Sequence, residues 1–235
     1  MKTHILSIGL GILTLALGAT GATGAEPKSV LKEAIKKLSD QSGYSWVFTP
    51  KTVGSEAAAK LGPIQGKTVK EGVVWLKGTS GENSFEAAVK GTKYAVNYNG
   101  EWIVVDEDDE ATASIARRLK AVKNPLETAD ELVAKVREFK KEPAGLYSGD
   151  LTDEGAKEIF GKLGKRAAAA DEAKGSVKYW VKDGLLTKYE FIVKGKITVG
   201  ADKREVELSR TVTVEFLDIG STKITLPEEV KKKLS

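Results

Sequence analysis

The chain has 235 residues, no cysteine, one histidine (His4), and 37 basic against 33 acidic side chains, for a formal charge of +4. Without cysteine there is neither a disulfide nor a lipid-modified cysteine anchor, so the fold must stand on its apolar core alone. Once His4 is removed, Ser-His-Asp and Cys-His catalysis and the usual zinc and copper sites are excluded.

Residues 1–4 are a short basic start, residues 5–17 an apolar run broken only by small residues, and residues 18–25 consist of Gly, Ala and Thr. This reads as a secretory signal peptide over residues 1–25, cut between Ala22 and Glu26. The apolar run falls short of the roughly 20 residues a membrane span needs. The expected location is therefore periplasmic or secreted. Loss of the segment's single lysine leaves residues 26–235 with a charge of +3. That length suits one domain with a sizeable core. So mild a charge, with no aromatic-plus-basic module, argues for no nucleic-acid partner. No GxxxxGK[ST] or GxGxxG loop is present, and no cofactor is called for.

Residues 29–38 predict a helix, with Val30, Leu31, Ala34, Ile35 and Leu38 on one face. Residues 44–49 alternate as a strand, placing Tyr44, Trp46 and Phe48 together, and Pro50 ends it. Residues 57–66 read as a loop. Strands follow over 72–78, 84–90 and 93–98. Asn99-Gly100 then signals a hairpin returning through 102–105. A three-residue loop there would gather Tyr94, Val96, Trp102 and Val104 on one face. The acidic run 106–110 has two readings, a calcium loop and the acidic approach to a helix. It lacks the glycine and the terminal glutamate of a calcium loop.

Residues 111–122 predict a helix that Asn124-Pro125 breaks. Thr128 and Glu131 have capping-box spacing, opening a helix that carries Leu132, Val133, Val136 and Phe139. Residues 146–149 form a short strand. Thr152 caps a helix through Ile159, Phe160 and Leu163. Residues 165–174 are a helix extension or a linker. Strands then resume: a hairpin over 177–195, a piece at 196–199, a long strand at 204–217 and a last strand at 222–226. A short helix starts at Pro227. The long strand places Val206, Leu208, Val212, Val214 and Phe216 on one face and polar groups on the other, as in an antiparallel sheet with one solvated side. Strand runs and helix runs are segregated, so a parallel sheet is disfavoured.

The hairpin "VKYWVKDGLLTKYEFIVKG" decides which residues share a face. A two-residue turn at Asp183-Gly184 would scatter its apolar groups over both faces. A three-residue loop, Lys182-Asp183-Gly184, pairs odd positions with odd ones and gathers Val177, Tyr179, Val181, Leu185, Tyr189, Phe191 and Val193. The expected fold is therefore α+β: one large curved antiparallel sheet with helices on its apolar face. The order of elements, with the N-G-E-W return and the stretches "WVKDGLLTKYEF", "RTVTVEFLDIG" and "ITLPEE", resembles the LolA-like superfamily, including the LppX/LprG-type lipoproteins. The resemblance covers roughly residues 27–234. It implies an open half-barrel with a helical lid, and a non-enzymatic carrier of lipid or another apolar small molecule.

On that reading the cavity-lining candidates are Tyr44, Trp46, Phe48, Tyr179, Val181, Tyr189, Phe191, Val212, Val214 and Phe216. The plain alternative for each is ordinary core. An exported scaffold or adaptor with a filled core is the rival function, and a carboxylate-dependent hydrolase, with no marked carboxylate pair, is a third. Arg117-Arg118, Lys140-Lys141 and Lys231-Lys232-Lys233 are either transient contacts to anionic headgroups at a membrane surface or solvated helix faces. The leader makes a direct prediction. N-terminal sequencing of the exported protein should find a start between Thr23 and Glu26, and an intact Met1 in a membrane fraction would show an anchor instead.

Overall fold

The computed structural model describes residues 26–55, 61–80, 83–98, 100–110, 112–120, 124–170, 172–199 and 202–235; the leader lies outside these residues. Among them the period-two segments form β1 (Gly43–Val53), β2 (Leu61–Val69), β3 (Val73–Ser80), β4 (Asn83–Lys90), β5 (Lys93–Tyr98), β6 (Glu101–Val105), β7 (Lys140–Lys141), β8 (Leu146–Asp150), β9 (Ala173–Lys182), β10 (Leu185–Val199) and β11 (Arg204–Leu217). The helices are α1 (Pro27–Ser39), α2 (Ala113–Lys120), α3 (Pro125–Lys135), α4 (Asp153–Gly161), α5 (Lys165–Ala168) and α6 (Glu228–Lys233). All eleven strands belong to one open antiparallel sheet, ordered β6-β5-β4-β3-β2-β1-β11-β10-β9-β8-β7. The expected α+β architecture, one open antiparallel sheet with helices against its apolar face, is the one found.

Two meanders, β1–β6 and β7–β11, meet along one seam where β1 pairs with β11. In that register Trp46 faces Phe216, Phe48 faces Val214 and Thr52 faces Arg210. The inward positions of β11 align in turn with Tyr189, Phe191 and Val193 of β10. Side chains alternate along each strand, so these pairings build one continuous inner face. The opposite face of β10 and β11 carries charge pairs such as Lys196–Glu205 at 3.3 Å and Lys188–Glu215 at 3.5 Å.

The β9–β10 hairpin reaches the expected odd-with-odd pairing by another device. Lys182 pairs with Leu185, so the turn has two residues, Asp183 and Gly184, both at positive φ (53° and 75°). That is the geometry of a type I′ turn. A bulge between Leu186 and Lys188 then shifts the register, so that Tyr179 meets Tyr189 and Val177 meets Phe191. The Thr187 hydroxyl at the bulge donates to the Trp180 carbonyl at 3.1 Å. Leu186, rather than Leu185, therefore shares the inner face with Val181. A bulge adds one residue to one strand and exchanges its faces.

Four sequence expectations are corrected in the same way. Pro50 does not end β1, because pairing with β2 stops at Phe48 and the strand beyond is bonded on one side only. A missing N–H is tolerated there. Residues 61–66 are strand rather than loop. Gly66 lies under the Trp46 ring, where a Cβ would come within 2.1 Å of ring carbons. The β5–β6 connection has two residues, since Tyr98 pairs with Glu101. Tyr94 and Val96 thus share a face with Val105 and Ile103, while Trp102 and Val104 fall on the other. Residues 222–226 form no strand. They lead to α6, which lays Val230 and Leu234 over Trp102, Ala88 and Ala95 on the outer face.

The helices other than α6 lie against the inner face. α1 buries Leu31, Ala34, Ile35 and Leu38 against α3, β9 and β10. α3 opens earlier than its capping-box spacing suggests. Asn124 is the N-cap, its side chain accepting from the Leu126 N–H at 2.9 Å, and Pro125 takes the first turn. Thr152 caps α4 as expected, accepting from the Gly155 N–H at 3.0 Å. The acidic run is a turn into α2, where the Thr112 hydroxyl donates to Asp109 at 3.0 Å and accepts from the Asp106 N–H. Lys140 and Lys141 form the edge strand β7 rather than a helix face, a place where lysine discourages further strand pairing.

Two sheet tyrosines hold α3 in place. The fully buried Tyr179 hydroxyl donates to the Ala129 carbonyl at 2.7 Å, and the Tyr44 hydroxyl reaches Asn124 Oδ1 at 3.4 Å. Tyr179→Phe should cost about 0.5–1.5 kcal/mol, the net worth of such a bond. Tyr44→Phe should cost less, since its contact is at the limit of bonding distance. Urea midpoints check both, and equal losses would deny Tyr179 its tethering role.

Gly66→Ala should drive the Trp46 ring off the sheet and cost about 1–3 kcal/mol, as overpacking does. A lowered denaturation midpoint with shifted tryptophan emission is the expected readout; an unchanged midpoint would mean the ring yields freely.

Candidate functional site

The inner face is divided between a filled part and an open one. In the filled part five rings form a row: Tyr44 against Phe216 (5.7 Å), Phe216 against Tyr189 (6.2 Å), Tyr189 against Tyr179 (6.1 Å) and Tyr179 against Phe139 (5.7 Å). Edge-on and tilted contacts at this spacing suit the ring quadrupoles. Val214 is buried among them, and Val181 is half-buried toward the hairpin turn. Burial pushes the Tyr179 and Tyr189 phenols above their ordinary pKa, so both stay neutral.

Beside this row lies a cavity of about 440 Å³, partly open to solvent. Its floor is the seam region of the sheet: Trp46 and Phe48 of β1, Ile64 of β2, Tyr189 and Phe191 of β10, and Arg210 and Val212 of β11. Its roof is Pro125, Thr128 and Glu131 of α3, Ile159 of α4, and Lys162 and Leu163 just beyond α4. Of the ten candidate residues, Trp46, Phe48, Tyr189, Phe191 and Val212 therefore line this space. Tyr44, Tyr179, Val214 and Phe216 are packed in the filled row, and Val181 stands apart from the cavity.

The polar groups at the cavity differ in how they are satisfied. Lys162 is bonded to Glu131 at 3.1 Å and to Glu158 at 3.3 Å. Burial works against its charge, but the Glu131 and Glu158 carboxylates hold its pKa above the ordinary lysine value. Lys135 also bonds Glu158, which lowers that carboxyl's pKa. Arg210 is half-buried, and burial alone pulls its guanidinium down from its usual pKa. No ion pair to it is present among the described residues.

Sequence reasoning missed Arg210, Ile64 and the roof. A signal for Arg210 was present, since it is the polar residue at an inward phase of a strand otherwise carrying Leu208, Val212, Val214 and Phe216 inward. Ile64 was hidden by the loop-like Gly62, Pro63 and Gly66 around it. The roof residues come from helices whose docking no periodicity specifies. Among the described residues no group of three or more His, Cys, Asp or Glu side chains gathers to hold a metal ion. What the arrangement can do is enclose apolar surface and face it with cationic groups at the margin.

No helix among the described residues is long and apolar enough to cross a membrane. Two wider grooves, of about 760 and 680 Å³, are lined largely by charged side chains such as Lys165, Arg166, Lys194 and Glu205, and Arg137, Glu138 and Lys178.

No family model matches the chain, and no curated protein does. Among solved structures it is similar to LprF from Mycobacterium bovis, at 11% identity over 86% of this chain and 95% of that one, with a TM-score of 0.47. It is also similar to LolA superfamily protein NE2245 from Nitrosomonas europaea, at 12% identity over 88% of this chain and 97% of that one, with a TM-score of 0.29.

Proposed function

We propose that this chain is an exported, non-enzymatic binding protein whose mature single domain, residues 26–235, carries a lipid or other apolar ligand under α3 and α4. The observation that carries this reading is the cavity itself. Protein interiors are close-packed, with few voids larger than a water molecule. Here an apolar cleft of about 440 Å³, partly open to solvent, is left beside a row of rings packed in contact. Its volume lies within the roughly 300–1,000 Å³ of small-molecule sites, and such sites are mostly apolar with a few placed polar groups. The signal-like leader supports export. The exposed Lys232 and Lys233 at the chain's end would serve transient contact with an anionic membrane surface.

Val212 tests the reading, because it lines the cavity from mid-strand. In a filled core Val212→Phe would cost about 1–3 kcal/mol through strained rotamers. Opening into the cavity, the ring gains buried surface and takes space a ligand needs. The expected result is split: a denaturation midpoint kept or slightly raised, and weaker binding of a fluorescent fatty-acyl probe. Both proteins must be delipidated first, since bound ligand raises apparent stability. A clearly destabilised variant, or wild type that binds no probe, would remove the cavity as a ligand site.

A further inference from the structure

An apolar ligand alone leaves one feature of the cavity unexplained. Arg210 occupies an inward position on β11 and lines the cavity beside Val212. Its cross-strand neighbours are Val193 on β10 and Thr52 on β1, neither of them charged. Lys162, the other cation at the cavity, is held by two carboxylates, whereas Arg210 has no such partner among the described residues. Thr52, in register with Arg210, is itself buried, and its hydroxyl has no hydrogen-bond partner among the described residues. A buried or half-buried polar group without a partner is costly, and a charge more so. Arg210 lines the cavity where the apolar floor ends, and Thr52 lies behind it in register on the neighbouring strand. A guanidinium in this position complements a head that carries negative charge and accepts hydrogen bonds, and its planar fork matches a carboxylate or phosphate.

Building on the apolar-ligand reading, we propose that the cavity takes an anionic amphiphile. Its tail lies against Trp46, Phe48, Phe191 and Val212, and its carboxylate or phosphate head sits on Arg210. Arg210 is one inward step beyond Val212, about 7 Å along the strand, so head and tail sites are contiguous. Specificity for charge then comes from one side chain, and affinity for the tail from the rest.

Calorimetric titration of purified, delipidated protein tests this with four probes: decanoate, decan-1-ol, acetate and inorganic phosphate. Decanoate should bind at least about ten-fold tighter than decan-1-ol, as a charge-assisted hydrogen bond requires. Arg210→Met should abolish that preference and leave decan-1-ol binding unchanged, while Arg210→Lys keeps part of it. The delipidated Met variant should unfold at a midpoint no lower than wild type, because it loses an uncompensated charge. A lower midpoint would reveal a structural partner for Arg210 and overturn the assignment. So would equal binding of decanoate and decan-1-ol, or a preference that survives in Arg210→Met; either leaves the apolar-ligand reading standing. Acetate or phosphate binding as tightly as decanoate would make the ligand a free anion. Failure of both ten-carbon probes would bring down the apolar-ligand reading itself, and this inference with it.

Discussion

The pairing of β1 with β11 is the contact on which the rest of the structure depends. It joins residues from opposite ends of the chain, as when Ser45 meets Leu217 and Trp46 meets Phe216. Without it the molecule would be two smaller meanders, each with an apolar face too wide for its own helices. Closing so long a loop costs entropy that local hairpins avoid, so the seam must gain enough apolar burial to offset it. The gain comes from Trp46, Phe48, Val212, Val214 and Phe216, which lie on the same face across the junction. The start of β1 is also clasped. Ser45 bonds Asp218 at 2.7 Å, and the Gly220 N–H bonds the Gly43 carbonyl at 2.8 Å.

The cavity sits on this seam, and its placement follows from how the helices dock. α3 is held over the sheet by Tyr179 and Tyr44, and α4 is held to it through Lys135, Glu158, Glu131 and Lys162. These contacts fix a roof above the rings on one side and above open space on the other. An aromatic strand face therefore serves two ends. Tyr179, Tyr44 and Phe216 are structural, because helix side chains fill the space opposite them. Trp46, Phe191 and Val212 face the gap left between α3, α4 and the sheet. Nothing in the residue types separates the two groups, since both are apolar residues at inward phase.

The outer face shows the same economy. The middle of the β3–β6 part of the sheet is buried on both sides, with Leu76 and Ala87 turned inward and Ala88, Ala95 and Trp102 turned outward under α6. Ala88 and Ala95 are fully buried and small, which lets α6 lie close, while Trp75 and Trp102 frame it. The Trp75 indole donates to Glu86 at 2.7 Å, and Lys67 stacks over its ring at 5.3 Å from the centroid. An exposed tryptophan face is thereby converted into a second small core.

Local chemistry alone determined a good part of this. The amphipathic α1, the alternation of β11, the Thr152 cap and the segregation of strand runs from helix runs follow from side-chain period and capping, which act over a few residues. The odd-with-odd pairing of the β9–β10 hairpin was also legible, because only that register buries Tyr179, Tyr189 and Phe191 together. The bulge that achieves it was not, since Thr187 carries no mark until the cross-strand partners are known. Pro50 and Gly66 show the limit more sharply. Each reads as a breaker in isolation, yet one lies where pairing has lapsed on one side and the other beneath a tryptophan ring. Trp102 changed faces for the same reason: a one-residue difference in loop length inverts a strand, and α6 was there to cover it. The division of the inner face into filled core and cavity belongs wholly to the tertiary structure, because a void is defined by what fails to pack opposite a residue, and that depends on the docking of helices far away in sequence.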